Sequence, residues 1–239
     1  QHPLEVFGPG NRGMLEPVFG NRPEPPIINP ENPTPGTTEM TQSLFQAYAQ
    51  TINNFMRDNA WPDFRTVVNP HDIQLPFLNE NPNATPAPEM EPFILYEDDL
   101  VRVHATLVNH QPVFPAFAFR FDTADGSIVI SGDTGPCQNL IRLAQGANVL
   151  IHEVIDETFI DLLFPDPTDP SAASLINHLK SAHTTIDAVG SIAQAAGVQT
   201  LVLNHLVPGN MPIHHLLRVR NHFSGQFLIG EDLMEIPVG

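Results

Sequence analysis

Four apolar stretches in the second half of the chain each run into a polar residue able to bind a metal ion or a proton: VRVHATLVNH ends at His110, SIVISGD at Asp133, ANVLIHE at Glu153 and TLVLNH at His205. A strand ending in such a side chain delivers it to one rim of a sheet, so four of them can converge on one small volume. That rim is where chemistry is expected.

The rest of the chain limits what that chemistry can act on. With 239 residues and 41% hydrophobic content, the chain can bury the core of one large domain, and a single domain spanning 1–239 is expected. Acids outnumber bases 27 to 10, for a formal charge of −17, and Lys180 is the sole lysine. Such a surface repels phosphate backbones, so broad nucleic-acid binding is not expected. A single cysteine, Cys137, excludes an intrachain disulfide and a cysteine-based zinc cluster. No run of about 18 apolar residues is present, so no spanning helix and no membrane partner are expected. The chain opens abruptly on QHPLEVFGPG without an initiator Met, as a processed or truncated product would.

Proline divides the chain: 16 of 25 prolines fall in the first 92 residues, and the stretch from Pro17 to Pro35 cannot hold a helix. Within this half, Thr41 can cap one amphipathic helix of about four turns carrying Leu44, Phe45, Tyr48, Ile52, Phe55 and Met56. Residues 17–92 therefore read as a Pro-rich helical insertion or lid, in which Phe19, Phe45, Tyr48, Phe55, Trp61 and Phe64 either line a ligand site or form the segment's own core. From Phe93 onward the pattern is regular. Strands are expected at 93–96, 101–109, 116–121, 127–131, 148–153 and 199–204, the first four antiparallel, with Asp125-Gly126 as a tight turn. Pro136 to Gly146 describes a helix completing a β-α-β crossover. A second helix is expected from Asp169-Pro170 to about Ala182, and a third from a Thr184/Asp187 capping box to Ala196, closed by Gly197. A mixed sheet with helices outside it is an α/β layered domain.

Each rim residue alone has a bland reading: His110 and His205 as satisfied structural histidines, Asp133 as a helix cap. Together, two imidazoles and a carboxylate are a donor set that zinc accepts, and an aspartate can bridge two ions. His183 lies at the start of the third helix, whose positive end lowers an imidazole's affinity for a proton; Glu153 on the same rim would push the other way, and the pair could hand a proton to a leaving group.

The segments SGDTGPCQNLIRLAQGANVLIHE and AHTTIDAVGSIAQAAGVQTLVLNHLVP closely resemble the C-terminal half of metallo-β-lactamase-fold hydrolases, in the branch around ribonuclease Z, related phosphodiesterases and arylsulfatases. The resemblance covers roughly Phe93 to Pro208, with PLEVFGPG a weaker segment of the same type. It implies an αββα sandwich with two zinc ions at the sheet edge. His110 resembles the family's third-motif histidine, Asp133 the bridging aspartate and His205 the final histidine. Glu153 resembles the glutamate of the His-Glu-Ala-Thr loop, here followed by Val154-Ile155, and His183 the histidine of the His-Ser-Thr loop; together these two imply the proton donor. The family's His-x-His-x-Asp-His motif is absent from these residues. Three ligands do not close two zinc shells, so the chain alone should bind metal weakly, and a missing N-terminal segment or a complementary chain is expected to complete the site. A homodimer is one form such a partner could take.

The expected activity is hydrolysis of a small ester, a phosphodiester, sulfate ester or lactone. Only 22 residues separate His110 from Asp133, which leaves no room for the long basic arm with which ribonuclease Z proteins grip tRNA. The competing readings are a ribonuclease Z-like tRNA 3′-processing endonuclease and an inactive binding protein that kept the fold.

Overall fold

The computed structural model describes residues 2–19, 22–77, 81–166, 168 and 172–238. The chain divides into two compact units, Gln1–Glu80 and Asn81–Gly239.

In the first unit, β1 (Leu4–Pro9) pairs in parallel with β2 (Val68–Ile73), in register from Leu4 opposite Val68 to Pro9 opposite Ile73. The single helix expected here is two: α1 (Thr37–Ala47) and α2 (Ala49–Asp58), broken at Tyr48. Nor does Thr41 cap it. The helix starts four residues earlier, where Gly36 follows Pro35, and the Thr41 hydroxyl donates back to the Thr37 carbonyl at 2.8 Å instead. The α1 start is tied to the strands, because the Thr38 amide donates to the Asp72 carboxylate at 2.9 Å and the Thr37 hydroxyl to the Pro9 carbonyl at 3.0 Å. Phe55, Trp61 and Phe64 pack in a run, with ring centroids 5.4 and 5.9 Å apart.

The second unit is built on a seven-stranded mixed sheet: β3 (Phe93–Glu97), β4 (Arg102–Leu107), β5 (Phe117–Thr123), β6 (Gly126–Ile130), β7 (Val149–Ile155), β8 (Thr200–Val207) and β9 (Gln226–Ile229), in that spatial order. The first four strands are antiparallel as expected, and β6 to β9 are parallel. Two reversals return β6 to the direction of β4, so β4, β6, β7 and β8 all end at one edge. Alternation on the strands explains the core: Val129, Leu150, Leu201 and Leu203 point to the same cluster as Leu140 and Leu143 of α3 (Gln138–Leu143). Further along come α4 (Glu157–Leu163), α5 (Ala173–Ala182), α6 (Ile186–Ala196) and the short α7 (Ile213–Leu216). Ile186, Val189, Ile192 and Ala193 of α6 join the cluster, and Gly190 lets it lie close to the Val219 carbonyl, where a Cβ would sit 2.8 Å away.

The α/β class of mixed sheets flanked by helices is thus the observed one. Two helix starts differ in detail. The α6 cap is Thr185, which accepts from the Ala188 amide, because Thr184 spends its hydroxyl on the Thr134 carbonyl. The expected start of α5 at Asp169-Pro170 lies outside the described residues. Gly197 closes α6 in the left-handed conformation as expected. Among the described residues, no helix is long and apolar enough to cross a membrane.

Candidate active site

Glu153 organises the shared strand edge. Its side chain is 1% exposed, and its Oε1 accepts from the Thr134 amide at 3.1 Å, the Thr184 amide at 3.0 Å and His183 Nδ1 at 3.3 Å. One carboxylate oxygen therefore staples the loop after β6 and the loop after α5 to the end of β7. Other bonds close the same knot: Thr184 Oγ1 to the Thr134 carbonyl at 2.5 Å, and the Ile155 amide to the Thr184 carbonyl at 2.9 Å. The loop after β4 is attached through Thr134 Oγ1, which accepts from the Asn109 amide at 3.1 Å, and through the Gly135 amide, which donates to the Asn109 carbonyl at 2.8 Å.

On this base the candidate side chains come together. His183 is the hub: its ring centroid lies 5.2 Å from that of His110 and 6.0 Å from that of His205. His205 Nε2 lies 3.4 Å from Asp133 Oδ2, both side chains being nearly half exposed. His205 reaches this position through a bulge. Asn204 pairs with Glu153 and Leu206 with Val154, so His205 is the extra residue in β8, and its φ is 41°. A left-handed non-glycine at a bulge is a costly way to aim a side chain, and such strain concentrates at functional sites.

The electrostatics favour a protonated His183. The hydrogen bond to Glu153 raises its proton affinity above the ordinary imidazole value, burial opposes this, and the charges of Glu153 and Asp133 add to the rise. His110 is oriented by its Nδ1, which donates to the Ala182 carbonyl at 3.0 Å and leaves Nε2 for the site. His152, adjacent to Glu153, is fully buried, donates from Nδ1 to the Glu153 carbonyl at 2.7 Å and is held neutral by burial; it belongs to the strand interior.

Two zinc ions were expected here, and the donor types suit zinc. Among the described residues, however, no three His, Cys, Asp or Glu side chains are grouped so as to hold a metal ion. Asp133 and His205 are adjacent, and His110 has its ring against that of His183. These residues do not make a metal centre by themselves.

Two features of this edge escaped the sequence reading. His178, one turn before the end of α5, has its ring 5.4 Å from His110 and 5.7 Å from His183. Asp156, 2% exposed at the start of α4, accepts from the Thr158 amide at 3.1 Å and from His215 Nδ1, a partner 59 residues away. Burial raises the Asp156 pKa, but the bonds from His215 and Thr158 outweigh it and hold the carboxyl below the usual range. A depressed carboxyl contributes stability above its unfolded value and loses it as pH falls through the folded one. Asp156→Asn should thus cost about 1–2 kcal/mol at neutral pH, a cost that shrinks as pH falls below the ordinary carboxylate range, measured by urea denaturation across that range.

No protein-family model matches the chain. It is 28% identical over 224 residues to a ribonuclease Z of Mycobacterium tuberculosis (strain ATCC 25618 / H37Rv), covering 92% of this chain and 71% of that protein. It is 30% identical over 215 residues to a ribonuclease Z of Mycobacterium sp. (strain KMS), covering 89% of this chain and 65% of that protein. Among solved structures, the metallo-β-lactamase fold protein YhfI from Bacillus subtilis aligns with a TM-score of 0.46 and 19% identity, over 76% of this chain and 59% of that one. The mixed sheets flanked by helices are consistent with the metallo-β-lactamase fold, and the chain is a distant homologue, at modest identity, of these ribonuclease Z proteins.

Proposed function

We propose that this chain carries the proton-donor half of a hydrolytic site acting on a small ester: a phosphodiester, a sulfate ester or a lactone. The observation that carries the reading is His183, bound to buried Glu153 through Nδ1 and set 5.2 and 6.0 Å from the rings of His110 and His205. With Nδ1 committed to the carboxylate, Nε2 is the atom that gives up a proton. An imidazole biased toward its charged form and fixed by a carboxylate protonates a departing alkoxide or phenoxide as the ester bond breaks. Glu153 keeps the ring oriented and stabilises its charged form.

His110, Asp133 and His205 are the zinc donors this chain would contribute, completed by donors from outside the described residues. Zinc, when bound, supplies Lewis acidity and an activated nucleophile. The small substrate follows from the formal charge of −17 and the short 110–133 segment. The named relatives favour a second reading, a tRNA-processing nuclease.

The test uses the protein expressed from its complete reading frame, with zinc content measured alongside hydrolysis of bis(p-nitrophenyl) phosphate, p-nitrophenyl sulfate, a chromogenic lactone and a precursor tRNA. Zinc-dependent turnover of a small ester is expected. His183→Ala should depress turnover with zinc retained, and Asp133→Ala should lose zinc. Undiminished zinc in the second variant overturns the ligand assignment. Preferential cleavage of the tRNA selects the nuclease, and neither zinc nor turnover selects a binding protein.

A further inference from the structure

We infer that His178 is a positioning residue that sets the separation of His110 and His183. Two crossed hydrogen bonds carry the inference. His178 Nδ1 donates to the carbonyl of Gln111, the residue after His110, at 3.0 Å. His110 Nδ1 donates to the carbonyl of Ala182, the residue before His183, also at 3.0 Å. His178 thus holds the backbone beside His110, and His110 the backbone beside His183; a carbonyl can only accept, so both rings carry their proton on Nδ1.

The clasp joins the loop after β4 to the last turns of α5. His110 stands three residues past the end of β4, and His178 and Ala182 share the last turns of α5. The three rings of His110, His178 and His183 lie edge to face, 5.2 to 5.7 Å apart. With His178 removed, only the His110–Ala182 bond is left to hold the loop after β4 to the end of α5 among these contacts, and His183 follows Ala182 directly. The carbonyl of Ala182 belongs to a helix end, where the last carbonyls lack intrahelical partners and need outside donors.

The role rests on the hydrolase reading for its consequence in catalysis, but the clasp itself is measurable without activity. Three variants separate the possibilities. In His178→Asn the amide nitrogen takes the place of Nδ1, in His178→Gln it takes that of Nε2, and in His178→Ala both are lost. Long-range 1H–15N spectra of the metal-free protein should show His110 as a single Nδ1–H tautomer in the wild type and in His178→Asn. A tautomer mixture is expected in the Ala and Gln variants, with all four proteins folded by thermal denaturation. On the ester found by the substrate panel, His178→Ala should lower kcat about tenfold with KM within about twofold, and His178→Asn should restore it. A single His110 tautomer together with wild-type kcat in His178→Ala overturns the proposal. So does rescue by Gln and not by Asn, which would make Nε2 the working atom. Should no ester be turned over, the hydrolase reading fails and the tautomer spectra still decide the clasp.

Discussion

Glu153→Ala should lower folding stability by about 3 kcal/mol, because it strips the shared acceptor from two backbone amides and an imidazole in a water-excluded site. For a unit of this size that is a fall of roughly 10 °C in Tm, read by calorimetry. Thr134, Thr184 and His183 all converge on Oε1 of that carboxylate, and Oε2 has no partner among the described residues. Glu153→Gln is the informative comparison, since a carbonyl oxygen can still accept where Oε1 does while the negative charge is gone. The raised proton affinity of His183 gives stability that is fully present below the unfolded imidazole pKa and lost as pH rises through the folded one. The gap between wild type and Glu153→Gln should accordingly be widest below about pH 6.5 and narrow above it. A gap unchanged between pH 6 and 9, measured by urea denaturation, would mean that the pair is not the source of the His183 shift.

Apolar runs leading to His110, Asp133, Glu153 and His205 made the rim legible, although β4 and β6 stop three residues short of His110 and Asp133 and β7 and β8 continue two residues past Glu153 and His205. Their common edge was legible because the antiparallel set returns β6 to the direction of β4. What could not be read were contacts fixed only by tertiary placement. His178 looks like any helical histidine until α5 is laid against Gln111, and Asp156 meets His215 across 59 residues. The bulge at His205 inserts a residue without glycine or proline to announce it. The helix break at Tyr48 has no proline or glycine either, so an unbroken apolar stripe was the natural expectation. β9 is only four residues long, and β2 contains Pro70, which hid both from a strand pattern. Thr184 and Thr185 are chemically equal candidates for one cap; what separates them is a carbonyl, that of Thr134, brought near by folding.

Gly132→Ala is expected to be strongly damaging, although it removes no functional atom. Gly132 has φ +61°, and a Cβ there would lie 2.7 Å from the Phe117 carbonyl oxygen. Left-handed backbone alone costs an alanine about 1 kcal/mol. The clash adds to this, because Phe117 is held in register opposite Leu107 and cannot move without breaking the β4–β5 ladder. Relief must come from the loop, which carries Asp133 and the Thr134 amide away from His205 and Glu153. The expected loss is about 3 kcal/mol, with hydrogen-exchange protection falling at the Thr134 and Thr184 amides. Gly146 and Gly197 are the controls, since both have positive φ, 63° and 65°, but nothing within 4 Å of an added Cβ. Alanine at either should cost only about 1 kcal/mol, the backbone component alone. If Gly132→Ala proves no worse than Gly146→Ala, the loop is compliant, and the placement of Asp133 beside His205 owes nothing to close packing against β5.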